Sequence, residues 1–184
     1  MATTPTVSTY KSHVSRAWSF YNDTPRIMFA IGKTTPWTNE NQPPNPVIDK
    51  DTLDELIGFK KVDRMLFVIP DPVNGTIVID NVRWTPIEPD PAIPGDTLYN
   101  AIRRANARWV YVETVLESTE FPNTTYREIG LYSRILLNDG VSTSQLTYNP
   151  SEILDSGILE AWKTRPPVYK TSSQREMLSF VLEF

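Results

Sequence analysis

An α+β fold, with an antiparallel β-sheet or β-sandwich core, about three short helices and long proline-rich loops, is predicted by three features of the 184-residue sequence. Apolar runs are about five residues long, too short for a helix and bounded by turn-forming residues. Segments such as 109–116 alternate with the period of two expected of a strand. The 16 prolines cluster between the apolar segments, where they cannot interrupt a hydrogen-bonded ladder.

Taken in order, Tyr10, Val14, Ala17, Trp18 and Tyr21 recur at helical spacing, so 7–22 reads as an amphipathic helix ending before Pro25. The chain reads as a single structural domain over 1–184, to which this helix can be an appended interaction element. Residues 26–33 read as a buried strand, and the polar stretch TTPWTNENQPPNPV (34–47), with four prolines and a tryptophan, leaves it. Thr52 and Glu55 have the spacing of a capping box for a short helix over 52–58 that turns Leu53, Leu56 and Ile57 inward. MLFVI (65–69) reads as a strand covered on both faces. Asn74-Gly75 supplies the positive φ angles of a type I′ hairpin that returns 76–84 antiparallel to it. Residues 85–95 hold four more prolines and read as a loop.

Asp96 is placed as the N-cap of a helix to about Ala107, with Leu98, Ala101, Ile102 and Ala105 on one side. Residues 109–116 and 126–137 read as strands, the second closed by the turn Asn138-Asp139-Gly140. The chain ends on MLSFVLEF, whose Leu178, Phe180, Leu182 and Phe184 point one way, so Phe184 ties the C-terminus into the sheet.

Composition removes several function classes. With 22 acidic against 18 basic residues the net charge is −4, which argues against coating nucleic-acid phosphates or an anionic bilayer. Arg103, Arg104 and Arg108 read as the solvated face of a helix. No apolar run is long enough to span a bilayer, and residues 1–5 have neither the charge nor the apolar core of a secretion signal. The sequons at Asn22, Asn74 and Asn123 are therefore chance matches. There is no cysteine, which excludes disulfides, thiolate metal sites and thiol nucleophiles.

Reactive constellations fail in turn. His13 is the only histidine and no nucleophile elbow accompanies it, so a serine triad or histidine metal cluster is excluded. Gly32-Lys33-Thr34 ends like a phosphate-binding loop, but Ile27 stands where the first glycine belongs and Pro36 stops the helix. Asp49, Asp51, Asp54 and Glu55 lack the glycine of a calcium loop and read as acids at a helix N-terminus. Glu113 with Glu117, or Glu120 with Glu128, could serve a glycosidase only if a cleft set them the required distance apart. The expectation is no enzymatic activity, no catalytic residue, no metal and no cofactor.

What remains is a protein made for contact, with five tryptophans, eight tyrosines and seven phenylalanines and with loops pre-stiffened by proline. FAIGKTTPWTNENQPPNPV (29–47) resembles a segment near the start of baseplate wedge proteins of contractile-tailed phages of the T-even type. YREIGLYS (126–133) is similar to the Arg-Glu-Ile-Gly-Leu element of phage tail-collar and fibre-attachment domains, and residues 156–184 resemble the closing segment of such tail proteins. The resemblance implies a non-catalytic structural subunit of the virion tail baseplate, assembled in the host cytoplasm. It would sit in several copies around the tail axis, in contact with other baseplate and tail proteins. Pro36, Trp37, Pro43 and Pro44 would then shape a loop or touch a partner, with Arg127 and Glu128 as polar contacts near a sheet edge; the alternatives are a core-covering Trp37 and a solvated Arg127-Glu128 turn. Two other functions stand beside this one: an adaptor for tail fibres or receptor-binding proteins, and a carbohydrate-binding or carbohydrate-cleaving domain using Trp84 or Trp162. The proline stretch is expected to lie across a neighbouring subunit, so that deleting 36–46 leaves a folded monomer that cannot co-assemble.

Overall fold

The computed structural model describes residues 7–184. In chain order the elements are α1 (Tyr10–Tyr21), β1 (Met28–Gly32), β2 (Gly58–Lys61), β3 (Arg64–Pro70), β4 (Ile77–Ile79), β5 (Val82–Pro86), α2 (Leu98–Arg104), β6 (Trp109–Leu116), β7 (Thr124–Ser133), β8 (Leu136–Leu137), β9 (Thr147–Tyr148), β10 (Ile153–Asp155), β11 (Ile158–Lys170) and β12 (Glu176–Glu183). The fold is predominantly β and antiparallel, with two α-helices among the described residues rather than about three. The chain divides into two compact units, one of residues up to Asn22 with Met65–Val112 and Val181–Phe184, the other of Asp23–Arg64 and Glu113–Phe180. Neither is a contiguous stretch of sequence.

In the first unit, α1 is capped by Thr9, whose side chain accepts from the Ser12 amide, and it buries Val14, Ala17 and Phe20. Tyr10, expected on the packing stripe, is exposed because it occupies the first helical turn, where the Arg108 guanidinium lies 5.3 Å from its ring. Trp18 does pack, stacked at 6.0 Å on Phe67 and tilted at 5.1 Å against Tyr99. The C-terminus is fastened as expected: the Phe184 amide donates to Arg108 O at 3.1 Å, and the Phe184 ring meets Phe20 at 5.0 Å. His13 hydrogen-bonds to the Phe184 carbonyl through Nδ1, a structural use of the single histidine.

The hairpin turn does not form at Asn74-Gly75. Positive φ angles occur at Asp80 (48°) and Asn81 (65°), so β4 and β5 form the hairpin and β5 pairs with β3 from Val68↔Pro86 to Pro70↔Trp84. Asp71 holds the 71–75 loop, accepting from the Val73 and Asn74 amides and from the Thr85 hydroxyl. Residues 85 and 86 belong to this strand, and Pro86 closes its end, where a missing N–H costs no ladder bond. In the sheet order β12-β6-β3-β5-β4, Val68, Trp84 and Tyr111 form the core, with Ile77, Ile79 and Trp109 packed on it.

Helix α2 begins one residue later than expected, because Thr97 supplies the cap, accepting from the Asn100 amide. Asp96 is instead held by both Arg104 nitrogens at 2.6 Å and by the Asp90 amide at 2.7 Å, and these contacts depress its carboxyl pKa. Arg108 lies beyond the helix and pairs with Glu183 at 2.7 Å, so of the three arginines only Arg103 has no carboxylate among the described residues.

In the second unit the sheet order is β11-β7-β1-β2-β9. Every residue of β1 is buried, the signature of a strand covered on both faces, and it pairs with β7 through Ala30↔Gly130 and Ile31↔Ile129. Met28, Ala30, Leu53, Phe59, Tyr132, Ile135 and Tyr148 form the core of one face. The strand expected over 126–137 is broken at Arg134, whose φ is 60°; Leu136–Leu137 then pair with β10. Strand β11 carries Pro166 and Pro167 in a register break between Thr164↔Glu128 and Val168↔Tyr126.

The helix expected over 52–58 is absent. Thr52 contacts the Tyr132 hydroxyl at 3.2 Å, the Leu53 amide donates to the same hydroxyl at 2.8 Å, and Glu55 sits at φ 46°. Tertiary partners have taken the groups a capping box would have used. The acids there consequently owe nothing to a helix dipole.

Candidate functional site

Between β1 and β2 the chain runs through the proline stretch as an ordered arm, and that arm lies on its own sheet. Prolines at 36, 43, 44 and 46 remove amide donors, so the arm is rich in acceptors, and the sheet supplies donors to match. Trp162 Nε1 donates to Val47 O at 3.0 Å and Thr164 Oγ1 to Pro44 O at 2.7 Å. These two residues alternate on β11 and therefore share a face. In return Trp37 Nε1 donates to Arg165 O at 3.1 Å, inside the Pro166-Pro167 bulge.

Arg127 and Glu128 complete the fastening. Both lie in β7, between β11 and β1, and are only 5% and 1% exposed, so neither is a solvated turn. The Arg127 guanidinium grips the Glu40 carboxylate, Nε at 2.9 and 3.1 Å and Nη2 at 2.6 Å, and also donates to Thr34 O. The Arg127 hydrogen bond lowers the Glu40 pKa. Glu128 accepts from Lys50 Nζ at 2.8 Å and from the Asp54 amide at 2.8 Å. Burial pulls the Lys50 pKa down, but the Glu128 and Asp54 carboxylates outweigh it and leave it raised.

At the root of the arm Glu55 is the acceptor for Thr34 and Thr35. Their hydroxyls, then their amides at 2.9 and 2.8 Å, hold its carboxyl down to about 2 from an ordinary 4.5. A depressed carboxyl contributes stability that is whole above the unfolded value and is lost as pH falls through the folded one. Fastening of the arm root is therefore expected to weaken between pH 4.5 and about 2. Thermal midpoints of wild type and Glu55→Gln should differ most above that window and converge below it. A constant difference throughout would contradict the role assigned to Glu55.

The stretch is fastened along its inner side to its own chain. Trp37 is half-buried with the Lys33 ammonium 5.4 Å from its ring, Pro43 is half-buried, and Pro36 and Pro44 are exposed. The arm's outer side is free, and Ile48 is fully exposed at 104%. Deleting 36–46 would take Glu40 from the buried Arg127, so that deletion removes fold as well as surface.

Nothing reactive gathers here. Among the described residues no group of three or more His, Asp or Glu side chains is placed to hold a metal. The carboxylates considered for acid/base work are engaged structurally: Glu120 accepts from the buried Lys60 at 2.6 Å, and Glu128 from Lys50. Trp84 is 8% exposed and offers no sugar platform, while the Trp162 ring lies 4.6 Å from the Lys50 ammonium. Among the described residues no helix is long and apolar enough to cross a membrane. Glu40, Lys50 and Thr164 escaped the sequence reading, and Glu55 and Trp162 were named there for other roles; the one local signal was Trp162 and Thr164 two apart on a strand.

The sequence model of the family described as "Baseplate wedge 3 tail fiber network component" matches residues 5–184. The chain is also 31% identical over 170 residues to "Virion protein 3" of Enterococcus phage phiEF24C, an alignment covering 90% of this chain and 88% of that protein.

Proposed function

This chain belongs to the baseplate wedge 3 tail fiber network component family of structural phage virion proteins, and we propose that it works there as a non-catalytic wedge subunit whose outward-facing arm docks on neighbouring tail proteins. It acts as one structural domain, since the chain passes between its two units after residues 22, 64, 112 and 180. It is assembled in the host cytoplasm, in several copies around the tail axis, without nucleic acid, membrane or cofactor. The observation that carries this reading is the division of labour in the arm. Its inner groups are fixed by Arg127, Trp162 and Thr164, which leaves Val47 (54% exposed) and Ile48 pre-ordered toward solvent. A segment already ordered loses little conformational freedom on docking.

Pro36 and Pro44 belong to the docking surface in this reading. Trp37, Pro43, Arg127 and Glu128 act behind it by fixing its shape. The fibre-adaptor role shares the family's "tail fiber network" description, but the Arg127-Glu128 pair that suggested it is buried, so fibres would have to be met elsewhere.

Val47→Asp with Ile48→Asp should leave the thermal midpoint unchanged, because both side chains are exposed, and should prevent incorporation into baseplates when supplied in place of the wild-type protein. Normal incorporation of the variant, measured by protein content of purified particles, would overturn the docking role of the arm.

A further inference from the structure

Two unsatisfied features of this chain are complementary to each other. The first is the crest of the arm. Ile48 is wholly exposed, and the flanking Asp49 and Asp51 are exposed carboxylates with no ion pair among the described residues. The crest is rigidly presented: Val47 O is held by Trp162 on one side, and Lys50 is held by Glu128 and Asp54 on the other. A crest that is apolar at its tip and acidic at its base calls for a socket that is apolar at its wall and basic at its rim.

The second feature is such a socket. A cleft of about 340 Å3 lies between the 93–96 loop and α2, with Ile93 and Pro94 on one side and Asn100 and Arg103 on the other. Its wall is prebuilt. Asp96 clamps Arg104 and the Asp90 amide, the Ala92 amide donates to Asp90 at 2.9 Å, and the Asp96 amide donates to Ile93 O at 3.1 Å. Arg103 has no carboxylate among the described residues and stands 5.6 Å from the Tyr99 ring, which orients it without neutralising it. Both helices are one-signed: α1 (YKSHVSRAWSFY) and α2 (LYNAIRR) carry cations and no acid, in a chain whose net charge is −4.

We propose that the occupant of this cleft is the arm crest of a second copy of the same chain, with Ile48 against Ile93 and Pro94 and with Asp49 or Asp51 on Arg103. The contact is head-to-tail, so a pair still has one free crest and one free socket between its two copies and the association can repeat into a ring or a string. It is small, so it is weak for two isolated copies and strengthens when a scaffold holds many side by side. This inference rests on reading the outer side of the arm as a docking surface, and adds what it docks on.

The test uses the full-length purified protein in sedimentation velocity at concentrations up to about 1 mM, where a millimolar contact is half populated. Wild type is expected to self-associate, less so as salt rises. Arg103→Glu alone, and Asp49→Lys with Asp51→Lys, should each weaken association by about tenfold, a modest cost for mispaired interfacial charge. Mixing the two variants should restore it, because acidic crest then meets Arg103 and basic crest meets the new carboxylate. A wild type that stays monomeric, or charge variants that associate unchanged or are not restored by mixing, would overturn the self-docking. If Ile48→Asp and Arg103→Glu block incorporation into baseplates while wild type is monomeric, the arm reading survives and the occupant of the cleft is another protein.

Discussion

Lys50→Met is expected to lower the free energy of unfolding by about 3–5 kcal/mol, the cost of leaving a buried charge without its partner. Glu128 is 1% exposed, and Lys50, itself only 14% exposed at its side chain, is the cation that meets it. Methionine keeps most of the length of the lysine stem over Trp162 but removes the ammonium, so the loss isolates charge from packing. The carboxylate would retain the Asp54 amide, which is one hydrogen bond for a full negative charge. Denaturant unfolding of the single variant and of Lys50→Met with Glu128→Gln distinguishes the causes. The double variant should recover a good part of the loss, because its amide carries no uncompensated charge. A single variant as stable as wild type would show that the pair contributes nothing to holding the arm.

Gly32→Ala is expected to cost about 3 kcal/mol, at the upper end of what overpacking produces, and Gly130→Ala about 1 kcal/mol. A Cβ at residue 32 would lie 2.5 Å from the backbone oxygen of Asp54, the same oxygen that accepts from the Lys33 amide at 2.6 Å. Relief requires moving backbone where the arm leaves and re-enters the sheet. At residue 130 the nearest atoms are Leu159 Cδ1 at 2.8 Å and Leu53 Cδ2 at 3.1 Å, ends of side chains that can rotate away. Thermal unfolding of the two variants should rank them in that order. The reverse order would mean that the backbone beside Gly32 yields more easily than a packed leucine.

Those glycines also show how far the sequence could be read. The apolar run of β1 and the alternation of β6 are local properties, and both strands were legible. The Ile-Gly-Lys and Ile-Gly-Leu pieces were legible as motifs but not as contacts, since what each glycine makes room for lies far along the chain. The capping-box spacing at Thr52 and Glu55 misled because Tyr132, Thr34 and Thr35, none of them local, took those polar groups. Asn74-Gly75 and Asp80-Asn81 both suit positive φ, and the choice fell to the register that sets Ile77 and Ile79 against the Trp84 core. The arm was hardest, because its fixings on the sheet join residues 74 to 128 positions apart and sequence carries almost no trace of such pairs.

The register break in β11 has a consequence for the life of the free subunit. β11 is the long outermost strand of its sheet, and a strand of that length with an unbroken row of outward amides would recruit its counterpart from any other molecule it met. Pro166 and Pro167 leave a gap in that row of donors at the point where the strand bends, so an incoming strand finds nothing to zip against. The two prolines thus guard the exposed edge of the sheet against edge-to-edge fusion of free copies.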